Sequence, residues 1–291
     1  MLSRIFPLLI LVSTLGCQSK PVAPLPPIEA TSLYGAMSPA KTTAPTIIVS
    51  QWHPLAGFSS KQDRRPPPQA ENQIAIYYQL SAWIDEGHLQ TVIAEGCEGE
   101  IDDSFEDAFN GWTLKELKDL PPGKLDTLIT HVGLKMKAKY GDKVRVVCGD
   151  DSSLVVKHML VLSDLRGLSS FAVRISQLGN EPAKRDEYLK QLRTVLKLPE
   201  TAGENDVYEK LMASLRAKMG EFEELVNERN EVFVKTIKKA PGRSAVVVGA
   251  IHVPGIESKL RSEKIDFATY QPTGLRAEDR DLLEKLKELL K

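Results

Sequence analysis

The chain has 291 residues, of which 42% are hydrophobic, 26% charged and 6% aromatic, a composition typical of a globular protein. Its 38 basic and 39 acidic residues give a formal net charge of -1. Without an excess of clustered Lys and Arg, the sequence argues against nucleic acid as a partner.

Residues 1 to 17 predict a secretory signal that is not part of the fold. Arg4 precedes an apolar stretch, residues 5 to 12, which is too short to span a bilayer. The stretch leads to Thr14-Leu15-Gly16-Cys17, which resembles the lipobox of bacterial lipoproteins, with Thr14 where leucine is usual. The resemblance implies that Cys17 is lipidated and anchors the protein to a membrane of the bacterial envelope. A cleaved, unlipidated signal is the alternative.

Residues 18 to 45 are rich in Pro, Ser, Thr and Ala and show no periodicity. This composition favours a flexible tether. We expect it to hold a folded domain, residues 46 to 273, off the membrane in the periplasm or outside the cell. No second apolar stretch in the sequence approaches the ~20 residues that a spanning helix needs.

Apolar runs in the domain predict a largely parallel β-sheet. The runs are Thr46–Ser50, Thr91–Ala94, Lys143–Cys148, Ser244–Gly249 and residues 265 to 270. Helical patterns lie between them, which favours an α/β fold with helices on both faces of the sheet.

Helical periodicity predicts helices over residues 72–86, 152–180, 183–198 and 205–239. The interval from 152 to 240 is therefore an all-helical insertion, and we expect it to roof the edge of the sheet where the strands end. Leucines at helical spacing predict an amphipathic C-terminal helix over residues 274 to 291.

If Cys17 is lipidated, two thiols remain, Cys97 and Cys148. Each lies just past an apolar run, so parallel strands would bring both to the same edge of the sheet. A disulfide and two buried free cysteines are both compatible with this arrangement.

Ionisable side chains follow four of the predicted strands and would meet at one edge of the sheet, where ligands of α/β proteins bind. They are His53, Glu95, Asp150 with Asp151, and His252. Each alone is compatible with ordinary turn chemistry or a structural histidine. Independent turns have no reason to gather such residues at one edge, so together they indicate a shared functional site.

Other polar residues carry weaker signals. Gln73 stands at the start of a predicted helix and is a candidate to face the site. Arg229 and Asn230 lie in a charged stretch of the last long helix, where a solvated face is the simplest interpretation. The histidines without a partner at ligand spacing are expected to be structural or exposed: His88, His131 and His158.

Four segments taken together resemble the TraB, GumN and Tiki superfamily, whose relatives include the ChaN-like and erythromycin-esterase-like proteins. They are "SQWH" with His53, "VIAEG" with Glu95, "NERNEVFVKTI" with Arg229 and Asn230, and "VVVGAIHVPG" with His252. The hallmark of that group is two Gly-x-x-His motifs with one glutamate and one arginine between them. The resemblance covers roughly residues 46 to 272, and it departs from the pattern at Ser50, which replaces the first glycine.

The resemblance implies an α/β domain and, for the Tiki members, metal-dependent proteolysis of a peptide substrate. His53, His252 and Glu95 would form a face that suits Mn, Fe, Co or Zn and leaves positions open for water. A metal-bound hydroxide could then attack a carbonyl.

The roles of the carboxylates stay open in the sequence. If Glu95 is a metal ligand, Asp150 or Glu98 is the nearest candidate for the general base. If Glu95 is itself the base, the third ligand is missing. The family order gives Arg229, with Asn230 beside it, a role in holding a carboxylate or a developing oxyanion.

Three functions therefore compete. The first is an envelope lipoprotein that hydrolyses a peptide or ester bond with a divalent metal. The second is a metal-free hydrolase with His53 or His252 as general base, as the erythromycin-esterase-like relatives imply. The third is a protein that binds a small molecule such as haem, as the ChaN-like relatives imply, although the sequence has no Cys-His haem-attachment motif. The oligomeric state is left open.

Overall fold

The computed structural model describes residues 24–52, 68–102, 104, 113–119, 131–177 and 181–274. The predicted signal with Cys17, the predicted ligand His53 and the predicted C-terminal helix lie outside these residues. In the part of the chain that is described, no helix combines the length and the hydropathy needed to cross a membrane.

The strands of the described residues form one large mixed sheet and one small ladder. In chain order they are β1 (Ile28–Glu29), β2 (Gly35–Ser38), β3 (Lys41–Thr42), β4 (Thr46–Gln51), β5 (Thr91–Ala94), β6 (Glu98–Glu100), β7 (Arg145–Gly149), β8 (Ser244–Gly249) and β9 (Phe267–Pro272). The seven-stranded sheet has the order β2-β9-β4-β8-β5-β7-β6, and β1 pairs with β3. Its five central strands are parallel, whereas β2 and β6 are antiparallel edge strands.

The described helices are α1 (Pro68–Asp85), α2 (Leu114–Asp119), α3 (His131–Tyr140), α4 (Ser152–Gln177), α5 (Pro182–Val195), α6 (Glu204–Lys239) and α7 (Val253–Ser262). Because successive side chains of a strand point to opposite faces, each central strand contributes to two cores. One core contains Ile47, Leu80 and Leu134 under α1 and α3. The other contains Ile48, Phe233 and Ile256 under α6 and α7, so helices cover both faces as predicted.

The helical insertion has a hydrophobic core of its own, which includes Val161, Leu192 and Phe222. Helix α6 has 36 residues and is therefore about 54 Å long. Its first two thirds pack in this core, while its last turns pack on the sheet through Phe233. One rigid helix thus joins the insertion to the edge where the parallel strands end, which we call the carboxyl edge.

The prediction of a flexible tether over residues 18 to 45 is wrong for the part that the structure describes, residues 24 to 45. Strand β2 pairs along its length with β9, and Ile28 and Met37 are buried in the main core. The physical reason is that an edge strand with one solvated face needs only alternate apolar residues, as in the burial of β2. In a segment rich in Pro, Ser and Thr, so short an alternation of apolar residues does not predict a strand.

Cys97 and Cys148 form a disulfide, with Cα atoms 5.0 Å apart. This resolves the alternative that the sequence left open. The bond ties the turn after β5 to the end of β7, at the carboxyl edge.

Candidate functional site

The carboxyl edge holds a buried group of polar residues that we call the Arg229 cluster. Its members come from the ends of β5 and β7, from α4 and α6, and from the 3-10 turn that follows β8. They are Glu95, Asp150, His158, Arg229, Asn230 and His252. Five elements that are far apart in sequence thus supply one site.

Arg229 is the centre of this cluster and is only 4% exposed. Its Nε and Nη2 donate to the two oxygens of Asp150 at 3.0 and 2.6 Å, and Nη2 also donates to Oε1 of Glu95 at 2.7 Å. Burial alone would lower the pKa of Arg229. The charge of Glu95 and the hydrogen bond and charge of Asp150 outweigh burial, so this pKa lies above its usual value.

Backbone N–H groups bind the carboxylate oxygens as well. Oε2 of Glu95 accepts a hydrogen bond from the Gly249 N–H at 2.5 Å. The oxygens of Asp150 accept from the N–H groups of Gly96 and Asp151, both at 3.1 Å. These charge-assisted bonds fix both carboxylates in position before any ligand arrives.

His252 is fully buried, at 0% exposure, and one of its ring nitrogens is held by Asn230. The Nδ1 atom lies 2.8 Å from Oδ1 of Asn230. An amide oxygen only accepts, so Nδ1 carries the hydrogen, and in the neutral ring Nε2 carries the lone pair.

The Nε2 atom of His252 faces the carboxylate of Glu95 at 3.4 Å from Oε1, but no described residue gives it a hydrogen bond. Burial lowers the pKa of His252, and the charge of Arg229 lowers it further, while Glu95 acts in the opposite direction. The ring is therefore neutral near pH 7. It offers a buried base whose orientation is fixed by Asn230.

His158 joins the cluster from α4, a contact that the sequence did not predict for this histidine, which was expected to be structural or exposed. Its Nδ1 lies 3.1 Å from Nη1 of Arg229. Because a guanidinium only donates, Nδ1 is the acceptor, and His158 is the tautomer with hydrogen on Nε2. The ring also packs edge-on against Phe222. The available sequence signal is its position on the buried stripe of α4, between Val155 and Leu165.

Gly255 explains how Asn230 is kept in place. A Cβ atom at this position would overlap the side-chain amide of Asn230. Glycine therefore lets α7 approach α6 closely enough to enclose the amide between the helices. The segment His252-Val253-Pro254-Gly255 after β8 therefore contributes to the site through the packing of Gly255 as well as through His252.

The two remaining candidates lie at different distances from the cluster. Glu98 is exposed, and its Oε2 accepts from the N–H of Ser152 at the start of α4, so it does not point to Arg229 or His252. Gln73 is buried next to the carboxyl end of β4, where its Oε1 accepts from Gln51. The prediction that Gln73 faces the site stays a prediction.

The donor set of the described residues does not fit a divalent metal. No group of three or more His, Cys, Asp or Glu in the described ranges could hold such an ion. Both oxygens of Glu95 already have protein partners, and the Arg229 guanidinium supplies the cationic charge beside them. The third predicted ligand, His53, lies outside the described residues, so the predicted set His53, Glu95 and His252 stays a prediction.

Comparisons with family models, with curated proteins and with solved structures gave no match. The class of this protein is therefore defined by its own fold and site. It is an α/β protein with a mostly parallel seven-stranded sheet and a helical insertion that carries a buried arginine to the carboxyl edge.

Proposed function

We propose that the protein is a hydrolase of peptide or ester bonds in which His252 is the general base and no metal takes part. The observation that carries the proposal is the buried Nε2 lone pair of His252, oriented by Asn230 and placed 3.4 Å from Glu95. General bases need a fixed position and a neutral form at working pH, and the lowered pKa of His252 meets the second need.

The reaction uses the cluster as follows. Nε2 of His252 takes a proton from water while the water oxygen adds to the substrate carbonyl carbon. Glu95, whose charge is set beside the ring by Arg229, stabilises the imidazolium that forms. The tetrahedral intermediate then expels its amine or alcohol, which leaves with the proton returned from Nε2.

The resemblance to the TraB, GumN and Tiki superfamily also remains a proposal. Its support is that Glu95, Arg229 and His252, three of the residues in the family's order, belong to one cluster. The envelope location through a lipidated Cys17 is proposed as well. The Cys97–Cys148 disulfide supports it, because such bonds persist mainly in oxidising compartments.

The test is a hydrolysis assay with p-nitrophenyl acetate and with a fluorogenic peptide. His252→Gln should lower kcat/KM by about 10²- to 10⁴-fold, the usual contribution of a general base. His88→Gln, a substitution at a histidine outside the cluster, should have no effect. Chelation with EDTA should leave the wild-type rate unchanged.

Two results would contradict the proposal. If His252→Gln keeps the wild-type rate, the histidine is structural. If EDTA abolishes the activity and Mn or Zn restores it, the enzyme is the metal-dependent hydrolase that the family resemblance implies.

A further inference from the structure

Two buried side-chain atoms near the carboxyl edge have no hydrogen-bond partner among the described residues. They are Oγ of Ser50, near the end of β4, and Nε2 of His252. Both residues are 0% exposed. A buried polar atom without a partner is costly, and most such atoms in folded proteins are satisfied by protein or by ordered water. The proposed reaction uses Nε2 of His252 but gives no role to Ser50.

The side chain of Ser50 lies on the same face of the sheet as the Arg229 cluster. Along a strand, side chains alternate between the two faces. Ile48 of β4 and Ile93 of β5 both belong to the core under α6 and α7. Ser50 and Glu95 each follow two residues later, so both side chains point toward α6 and α7. For Glu95 the contact with Arg229 of α6 agrees with this direction.

Sheet register puts Ser50 and Glu95 on either side of Val248, near the end of β8. Ser50 pairs with Val248, and Glu95 directly follows Ala94, the partner of Val247. Neighbouring strands lie about 4.8 Å apart, so about 10 Å separate the Cα atoms of Ser50 and Glu95. The two side chains therefore border the same short stretch of the face.

The ring of His252 lies on the side of Glu95 that faces Ser50. Arg229 reaches Glu95 from the side of β7, since it also binds Asp150 after that strand. His252 comes instead from the end of β8, and α7, which follows it, packs toward β9. Strand β4 lies between β8 and β9, so the chain passes over the end of β4. The 3.4 Å contact of His252 with Glu95 thus extends from Glu95 toward Ser50.

We propose that Ser50 and His252 bind one water molecule between them, and that this water is the nucleophile of hydrolysis. The inference rests on the proposed function, since it names the residue that orients the attacking water of that reaction. A serine nucleophile and its base would be bonded to each other, whereas here neither atom is bonded to the other. Buried water commonly bridges polar atoms that have no other partner.

The two contacts give the water a defined orientation. One of its hydrogens bonds to Nε2 of His252 and the other to Oγ of Ser50, which leaves a lone pair of the water oxygen to attack the carbonyl carbon. Nε2 takes the first hydrogen as a proton while the new C–O bond forms. Ser50 keeps its own proton and stays uncharged throughout.

A high-resolution crystal structure of the wild-type protein tests the binding of water directly. A water oxygen should lie within about 3.2 Å of both Oγ of Ser50 and Nε2 of His252. In Ser50→Ala this position should be empty or shifted toward His252. A direct hydrogen bond between the two side chains, or a separate protein partner for each, would overturn the inference.

The hydrolysis assay tests the role of the water. Ser50→Ala should lower kcat about tenfold and leave KM unchanged, because the water loses one hydrogen bond while the substrate is bound as before. Ser244→Ala is a matched control, since it removes a buried serine from the same face of the sheet at the opposite edge. It should keep the wild-type kcat.

Two kinetic or chemical results would overturn the inference. One is a wild-type kcat in Ser50→Ala. The other is covalent labelling of Ser50 by a fluorophosphonate, detected by mass spectrometry, because Ser50 would then be the nucleophile itself. A water bound as described in a protein that hydrolyses neither substrate would instead contradict the proposed function, while the water site would remain.

Discussion

Among the described residues, two arginines are buried at opposite edges of the same sheet, and their partners differ in kind. Arg229 at the carboxyl edge pairs with Glu95 and Asp150. Arg243, just before β8 at the opposite edge, is 0% exposed and donates to three backbone carbonyls, those of Pro26, Ala44 and His88.

The pKa values of the two guanidiniums move in opposite directions. Burial lowers the pKa of Arg243, since carbonyl groups bring no opposite charge. The two carboxylates raise the pKa of Arg229 in spite of its burial. Arg243 thus links three chain segments through hydrogen bonds to their carbonyls. Arg229 instead holds two carboxylates beside the proposed base His252. A buried arginine is a sign of function only where its partners are ionised and converge on a reactive group.

Removing Arg229 should have the largest effect on stability. Arg229→Met leaves Glu95 and Asp150 buried without their cation, and breaking a buried ion pair in this way costs about 3–5 kcal/mol. Urea unfolding at neutral pH measures the loss. A triple variant that also carries Glu95→Gln and Asp150→Asn should recover part of it, because the unpaired charges are then gone. No recovery would mean that the loss comes from packing.

The carboxyl edge should also depend on its disulfide. Cys97 and Cys148 are 51 residues apart, and closing such a loop stabilises a protein by about 2–4 kcal/mol. Replacing both with Ser should lower the free energy of unfolding by this amount. A reductant should lower the wild-type value similarly and leave the double variant unchanged. Equal wild-type stability with and without reductant would contradict the prediction.

Removing Arg243 should cost less than removing Arg229. Arg243→Met takes a hydrogen-bond donor from three backbone carbonyls but leaves no charge unpaired, and we expect a loss of about 2 kcal/mol in the free energy of unfolding. Hydrolysis, measured per folded molecule, should not change. A loss larger than that of Arg229→Met would reverse the comparison between the two edges.

The smallest predicted effect is on the pH dependence of stability. The pKa of His252 in the folded protein lies below its ordinary 6.5, so the unfolded chain binds this proton first as the pH falls. The contribution of His252 to the free energy of unfolding is therefore fully present above pH 6.5. It decreases as the pH falls below this value, by up to about 1.4 kcal/mol per pH unit. His252→Gln should flatten this slope, and His88→Gln should not. Identical slopes in wild type and His252→Gln would contradict it.

Most of the sheet was predictable from sequence, because buried strands are continuous apolar runs. The prediction Thr91–Ala94 matches β5, and Thr46–Ser50 differs from β4 by one residue. Strands β2 and β6 and helices α2 and α3 were not predicted, since they are short or lack a clear periodicity.

The site was predictable only where a residue follows a strand. Glu95, Asp150 and His252 follow strands, and the parallel order of the sheet brings them together. His158 was missed because its contact with Arg229 joins residues 71 apart in sequence and depends on how α4 crosses α6. Local patterns hold no information on such a crossing. From the residues alone, Arg229 is expected on a solvated face, and only the family resemblance gave it a role.

The most direct test of the account is the protonation state of the His252 ring in the folded protein. Two-bond ¹H–¹⁵N NMR spectra distinguish the two neutral tautomers and the imidazolium. Near neutral pH we predict hydrogen on Nδ1 alone, with Nε2 bare, as the contact with Asn230 requires. Asn230→Leu, which removes the acceptor, should change this state. If the wild-type ring instead carries its hydrogen on Nε2, or is an imidazolium, then His252 is not a prepared base, and the central claim is wrong.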